Sequence, residues 1–204
     1  MATHGNLFIV TAPSGTGKTT LVAALLAADA AVQLSVSHTT RSPRAGEVNG
    51  QHYHFIDRAQ FEQMIAQQDF LEHAEVYGNY YGTSLRWIQA QQAQGRDILL
   101  EIDWQGAEQV RKLMPQARSI FILPPSLPTL KERLAGRGTD STEVIARRFA
   151  AARDEMRHVD EFEYVIINDD LQQALANLRS VVAAARLRYP NQRQRHSALF
   201  ASLL

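Results

Sequence analysis

Residues 12–20 read APSGTGKTT, and they constrain this chain more than any other stretch. They follow the apolar run LFIV and lead into LVAALLAAD, so a buried strand passes through a glycine-rich loop directly into a helix. Gly15 and Gly17 allow backbone angles and a close approach that a side chain would block. Gly17, Lys18 and Thr19 match the end of the pattern G-x-x-x-x-G-K-[ST], and Ala12 stands where the first glycine belongs. In such a loop the amides point inward, and the helix that follows adds its positive end, so phosphate oxygens are attracted. Lys18 would reach β- and γ-phosphates, and Thr19 would offer a hydroxyl to Mg²⁺. The nucleotide grip expected on this pattern spans Ala12, Pro13, Ser14, Gly15, Thr16, Gly17, Lys18, Thr19 and Thr20.

Three more runs resemble the strand before the loop: DILLEID (97–103), SIFILPP (119–125) and YVIIN (164–168). Each is nearly continuously apolar, which suits a parallel sheet covered on both faces. Helical patterns lie between them, over 18–29, 104–114, 127–136 and 170–189. In the last, Leu171, Leu175, Leu178, Val182 and Ala185 share a face. Strands alternating with helices predict an α/β fold, a doubly wound parallel sheet of the P-loop NTPase type. Two segments break the rhythm. Residues 35–83 read as an inserted mixed α/β subdomain, with Asp57 and Gln60 opening a short helix whose apolar face is Phe61, Met64 and Ile65. Residues 137–147 are a second, polar insert, with Asp140 and Glu143 as a capping pair for the next helix. The expected organisation is one domain over 1–204: a core of 1–34, 84–136 and 148–204, the insert 35–83, and a small lid 137–147.

Composition excludes several classes. Lys plus Arg and Asp plus Glu each number 21, so no long-range field draws the chain to nucleic acid or an anionic membrane. The absence of cysteine removes disulfides, thiolate metal sites and a cysteine nucleophile. No apolar run approaches the length of a membrane span, and the first residues lack a signal-peptide pattern. A cytoplasmic location is therefore expected.

The insert carries the second constellation. In TTRSPRAGEVNGQHYHFI (39–56), Arg41 and Arg44 lie three apart in a loop broken by Pro43 and Gly46. Two forked guanidiniums can grip one phosphate, with Tyr53 and Tyr81 as hydroxyl donors. Taken singly, an arginine pair is more often a solvated surface and a tyrosine cluster more often core. Glu101 and Asp103 end a buried strand, where open α/β sheets place ligands. Either can serve a metal or its water shell, and Asp103 can equally cap the helix after it. His52, His54 and His73 have no convincing metal-ligand spacing and read as surface or packing residues.

APSGTGKTT, the 39–56 signature with GNYYGTS, and EIDWQG with the later GRG and NDD segments together resemble the guanylate kinase family, over residues 7 to about 170. The resemblance implies ATP and GMP as substrates, with Mg²⁺. It assigns GMP contacts to Ser37, Arg41, Arg44, Tyr53, Glu72, Tyr81, Thr83 and Asp103, and catalytic roles to Lys18, Arg41, Arg137 and Arg148. It brings Arg133, Arg137 and Arg148 to ATP, places Asn168 near adenine, and makes 137–147 a lid. Thr83 stands where serine is frequent and Glu101 where aspartate is common, with Thr19 the proposed metal hydroxyl. Independently of this, a carboxylate suits guanine, whose N1–H and N2–H₂ are both donors, whereas adenine would leave it unpaired. Glu72 is the acid chosen for that role, with Glu75 its local competitor. Two other classes share parts of the pattern. A non-catalytic guanylate-kinase-like interaction module has no need of an intact GTGKT. A kinase of phosphorylated sugars has no use for Glu72 and Thr83. No nucleic-acid or membrane partner is expected, and the sequence commits to no oligomeric state.

Overall fold

The computed structural model describes residues 4–76, 78–136 and 141–204. Among them the elements run, in chain order, β1 (Leu7–Thr11), α1 (Lys18–Ala28), β2 (Val32–Leu34), β3 (His38–Thr39), β4 (His54–Phe55), α2 (Arg58–Ala66), β5 (Phe70–Val76), β6 (Asn79–Ser84), α3 (Leu85–Ala93), β7 (Asp97–Glu101), α4 (Trp104–Leu113), β8 (Arg118–Leu123), α5 (Leu127–Ala135), α6 (Thr142–Glu155), a 3₁₀ turn (Met156–Glu161), β9 (Tyr164–Ile167), α7 (Leu171–Arg186), α8 (Tyr189–Arg195) and α9 (Ser197–Leu203).

β1 is buried along its whole length because it is the middle strand of a five-stranded parallel sheet ordered β2-β7-β1-β8-β9. Its side chains alternate between two cores. Phe8 and Val10 pack with Leu21, Val22 and Leu25 of α1 and with Leu178 and Val182 of α7. Leu7 and Ile9 pack with Ile88 of α3 and with Ala107 and Val110 of α4 on the other face. The sheet is therefore covered on both sides, as continuous apolar strands require. β9 departs from that expectation. It is an edge strand, and Val165 and Ile167 are 47% and 48% exposed, so only alternate residues are buried.

Side-chain caps start most of the helices. Asp57 accepts from the Gln60 amide, Ser84 opens α3, Asp103 opens α4, Ser126 opens α5 and Asp170 opens α7. α6 is opened by Ser141, whose hydroxyl accepts from the Val144 amide, and Asp140 lies outside the described residues. The C-terminal segment docks through α8: the Asn191 side chain donates to Asn6 Oδ1 and to the Ala185 carbonyl.

A second sheet, ordered β4-β3-β6-β5, rises from the core between β2 and α3. One face carries Phe61 of α2 stacked on Phe70 and Tyr80, with His38 stacked on His54. These histidines are packing residues. The other face carries Glu72, Ala74, Tyr81 and Thr83, with Tyr53 against Tyr81. α2 thus closes one side of the second sheet and leaves the polar side open to the core. Phe61 is fully buried at the centre of that small apolar layer. Phe61→Ala should cost about 3–5 kcal/mol, measured by urea unfolding.

Candidate active site

The loop between β1 and α1 is built from its backbone. Gly15 and Gly17 have φ of 90° and 88°, in the left-handed region that side chains disfavour. The Thr16 hydroxyl donates to the Pro13 carbonyl at 2.9 Å and is completely buried, so it braces the loop from inside. Asn168 braces it from below. Its side chain is buried, and Nδ2 donates to the Thr16 carbonyl at 2.7 Å. That amide is committed to the loop itself. Arg133 anchors the same corner, donating to the Asn168 carbonyl at 2.9 Å. Arg148, on α6, donates to Ser14 Oγ at 2.6 Å and so lies across the loop's mouth. Arg137 lies outside the described residues.

A cavity of about 400 Å³ opens over this loop, lined by Ala12, Pro13, Ser14, Gly15, Gly17, Lys18, Thr19 and Thr20 with Glu101, Asp103 and Glu155. Burial pushes the Lys18 ammonium's pKa down, against the pull of Glu101, Asp103 and Glu155. Lys18 Nζ stands 3.9 Å from Glu101 Oε1, and the Thr19 hydroxyl donates to the same oxygen at 2.8 Å. Glu155, at the end of α6, was not anticipated from the sequence. It is half-buried, and its pKa is raised by burial, with Lys18 opposing. Its only signal in the sequence is a position on a helix whose neighbours pattern as solvent-facing.

Across the cleft lies a second cavity of about 390 Å³, lined by Ser37, Arg44, Tyr53, Glu72, Ala74, Tyr81, Glu101, Ile102 and Asp103. Six of the eight residues expected at a nucleoside monophosphate therefore converge on one space. Thr83 stands behind it, fully buried, donating to Glu72 Oε1 at 2.5 Å and lying 3.4 Å from the Ser37 hydroxyl. Arg41 does not line the cavity. Its Nη2 donates to both oxygens of Glu47, at 2.8 and 3.0 Å, and Glu47 also accepts from the Arg44 amide at 2.7 Å. Arg41 pulls the Glu47 carboxyl down to about 2. Glu47 was missed in the sequence, although it stands between both arginines and the turn at Gly50. A third space of about 390 Å³, lined by Lys18, Thr19, Ser37, Glu47, Tyr53 and Glu101 among others, joins the two cavities.

Glu72 reaches the cavity through an irregularity. β5 pairs Phe70 with Ser84 but Glu72 with Thr83, so Leu71 is an extra residue in β5. Leu71 drops into the main core, and Glu72 turns toward α4. Glu75, three residues on, points to the opposite face and is exposed. Glu72 is 7% exposed; burial raises its pKa to about 7, with the Thr83 hydrogen bond opposing and Asp103 adding to the rise. Asp103 caps α4 through the Gly106 amide and also faces this cavity. Between its ordinary value of 4.5 and about 7, the folded protein holds a proton on Glu72 that the unfolded chain has released. Ionisation therefore works against folding as pH rises through that window. Glu72→Gln keeps an oxygen for Thr83 and has no such slope. Its melting temperature should exceed that of wild type at pH 8 by more than at pH 5, read by thermal denaturation.

A phosphate loop at the carboxyl end of a central parallel strand, facing a polar cavity on an inserted sheet, defines a kinase-type P-loop NTPase fold. The guanylate kinase family model matches residues 4–185. The chain is 62% identical to a guanylate kinase of Dechloromonas aromatica (strain RCB), over 98% of this chain and 99% of the relative. It is 56% identical to a guanylate kinase of Salmonella typhimurium, covering 98% of each. The crystal structure of guanylate kinase from Anaplasma phagocytophilum superposes with a TM-score of 0.74 at 31% identity, covering 92% of this chain and 89% of that one. The chain belongs to the guanylate kinase family.

Proposed function

We infer that the protein transfers the γ-phosphate of ATP to GMP, giving ADP and GDP, a step of purine nucleotide metabolism. The observation that carries this reading is the pair of polar cavities joined at Glu101, one over the phosphate loop and one around the buried Glu72 carboxylate. ATP would lie on the loop, with Lys18 at its β- and γ-phosphates and Arg133, Arg137 and Arg148 closing from the lid side. GMP would take the second cavity, its guanine N1–H and N2–H₂ donated to Glu72 and its ring flanked by Ser37, Thr83 and Asp103. Arg44, Tyr53 and Tyr81 would grip its phosphate. Arg41, hydrogen-bonded to Tyr81 beside the cavity, would join them. Asn168 contributes by holding the loop, whose geometry sets the phosphate positions.

The donor set fits Mg²⁺. A threonine hydroxyl and a carboxylate share one hydrogen bond at the loop, and both are hard oxygen ligands. Among the described residues there is no cluster of three or more metal-ligating side chains. A Mg²⁺ ion that arrives with a triphosphate needs only one or two protein ligands. Thr19 and Glu101, with Asp103 nearby, would hold it, and it would offset charge on the phosphate oxygens. The attacking group is a phosphate oxygen of GMP, already anionic, so no general base is needed. Catalysis then consists of alignment and charge dispersal by Lys18 and the arginines. We propose the division into core, GMP-binding insert 35–83 and lid 137–147, the latter two closing to exclude water from the triphosphate. Among the described residues no helix is long and apolar enough to cross a membrane. The reading needs no membrane or nucleic acid, and we propose a cytoplasmic location.

ADP formation from ATP and Mg²⁺ tests this with GMP, AMP, UMP and ribose 1,5-bisphosphate as acceptors. GMP should be strongly preferred, with little ATP loss when no acceptor is present. Turnover with the sugar bisphosphate alone would overturn the assignment. Lys18→Ala should lower kcat by about a hundredfold or more while GMP binding stays measurable by calorimetry. Glu72→Gln should raise KM for GMP far more than KM for ATP. If GMP is read by the ionised carboxylate, wild-type kcat/KM for GMP should fall roughly tenfold from pH 8 to pH 6. Glu72→Gln, without that proton, should retain only the titration of the GMP phosphate.

A further inference from the structure

We propose that Gly106 is a specificity-positioning residue: its missing side chain is the clearance that seats the Glu72 carboxylate where guanine is read. This rests on the assignment of Glu72 as guanine reader. Gly106 lies in the first turn of α4 and is buried. A Cβ there would stand 3.2 Å from Glu72 Oε2 and 3.5 Å from its carboxyl carbon, with Asp103 Oδ1 at 3.4 Å. The glycines with positive φ are elsewhere in the chain, so the fold uses the space at 106 and not an unusual backbone angle. An alanine would be the better helix former at that position.

Neighbouring contacts hold the Glu72 side chain and its strand in place. Thr83 holds Oε1 at 2.5 Å. One turn along α4 from Gly106, Gln109 bonds both main-chain groups of His73, accepting from its amide at 3.3 Å and donating to its carbonyl at 3.4 Å. The bulge at Leu71 fixes the strand on the other side of Glu72. α4 therefore rests on β5 through a backbone clamp at residue 109 and a bare contact at residue 106. A methyl at 106 pushes the carboxylate a few tenths of an ångström into the cavity, where the two guanine donors must fit. Gly106 does not line the phosphate-loop cavity, and Asp103, which does, meets the added methyl only at an ordinary contact distance of 3.4 Å.

The test is steady-state ADP formation by wild type, Gly106→Ala, Glu72→Asp, the double variant and Glu72→Gln, with GMP and ATP varied separately. Gly106→Ala should raise KM for GMP about tenfold, leave KM for ATP unchanged, and hold kcat within about threefold. Its melting temperature should be at or above that of wild type, since alanine favours the helix. Aspartate at 72 withdraws the carboxylate by one methylene and makes room for the methyl. The double variant should then have a KM for GMP no higher than Glu72→Asp alone, a non-additivity that a generally damaged helix would not produce. Three results overturn the proposal: an unchanged KM for GMP in Gly106→Ala, KM values for GMP and ATP rising together, or losses that multiply in the double variant. Glu72→Gln separates the two levels. A wild-type KM for GMP in that variant removes the guanine-reading role itself. A raised KM there, with Gly106→Ala at the wild-type value, overturns only the clearance role.

Discussion

The turn from β1 into α1 is the constraint on which the rest of the molecule depends. Among the first seven helices, α1 alone begins without a side-chain cap: Gly17 is its N-cap, and no acidic residue occupies its first turn. Its free N–H groups and dipole are thus left open to a ligand instead of being satisfied internally. A loop so exposed needs support from elsewhere, and Asn168 supplies it from the far end of β9. The two residues that meet there, Thr16 and Asn168, are separated by 152 positions. They meet because β1 and β9 flank β8 in one parallel sheet, with their carboxyl ends aligned. Sheet order, loop support and ligand site are one arrangement.

The core was legible in the sequence because its information is local. Continuous apolar strands, a glycine loop and amphipathic helices each declare themselves within a short window, and the four expected strands and helices lie where the patterns put them. The insert was legible as a polar interruption and as a signature. What escaped was whatever depends on a partner distant in sequence. Glu47 reads as a loop acid until Arg41 folds back on it. Glu155 reads as a surface acid until the end of α6 meets Lys18. The exposure of Val165 and Ile167 follows from β9 being at the sheet edge, which depends on strand order and not on composition. Asn168 could be placed near the nucleotide by resemblance, but its bond to the loop required the fold.

The choice between Glu72 and Glu75 shows the same limit more sharply. Three residues apart on a strand, they face opposite ways, and alternation alone does not say which faces the cleft. Leu71 settles the phase. It is a large apolar residue beside the main core, and burying it requires the strand to take up one extra position. The hydrophobic demand of the core thus aims a polar residue of the insert. Leu71 couples the two parts of the chain, alongside the Gln109 bonds to His73, although their sheets are separate.

A buried carboxylate is ordinarily a liability, and in the proposed reading of GMP by Glu72 that liability is what recognition would use. Glu72 has one hydrogen bond from Thr83 and is buried, so its charged form is disfavoured near neutral pH. That desolvation is suffered when the protein folds, not when the ligand binds. A base that offers two donors then relieves a charge already stripped of water, and gains more than it would from a solvated carboxylate. A base that offers none leaves the charge unpaired in the same place. On that reading, the selectivity of the site and the destabilisation of the free protein are the same free-energy term, seen from two sides. A change that relaxes the burial of Glu72 should stabilise the fold and erode discrimination together.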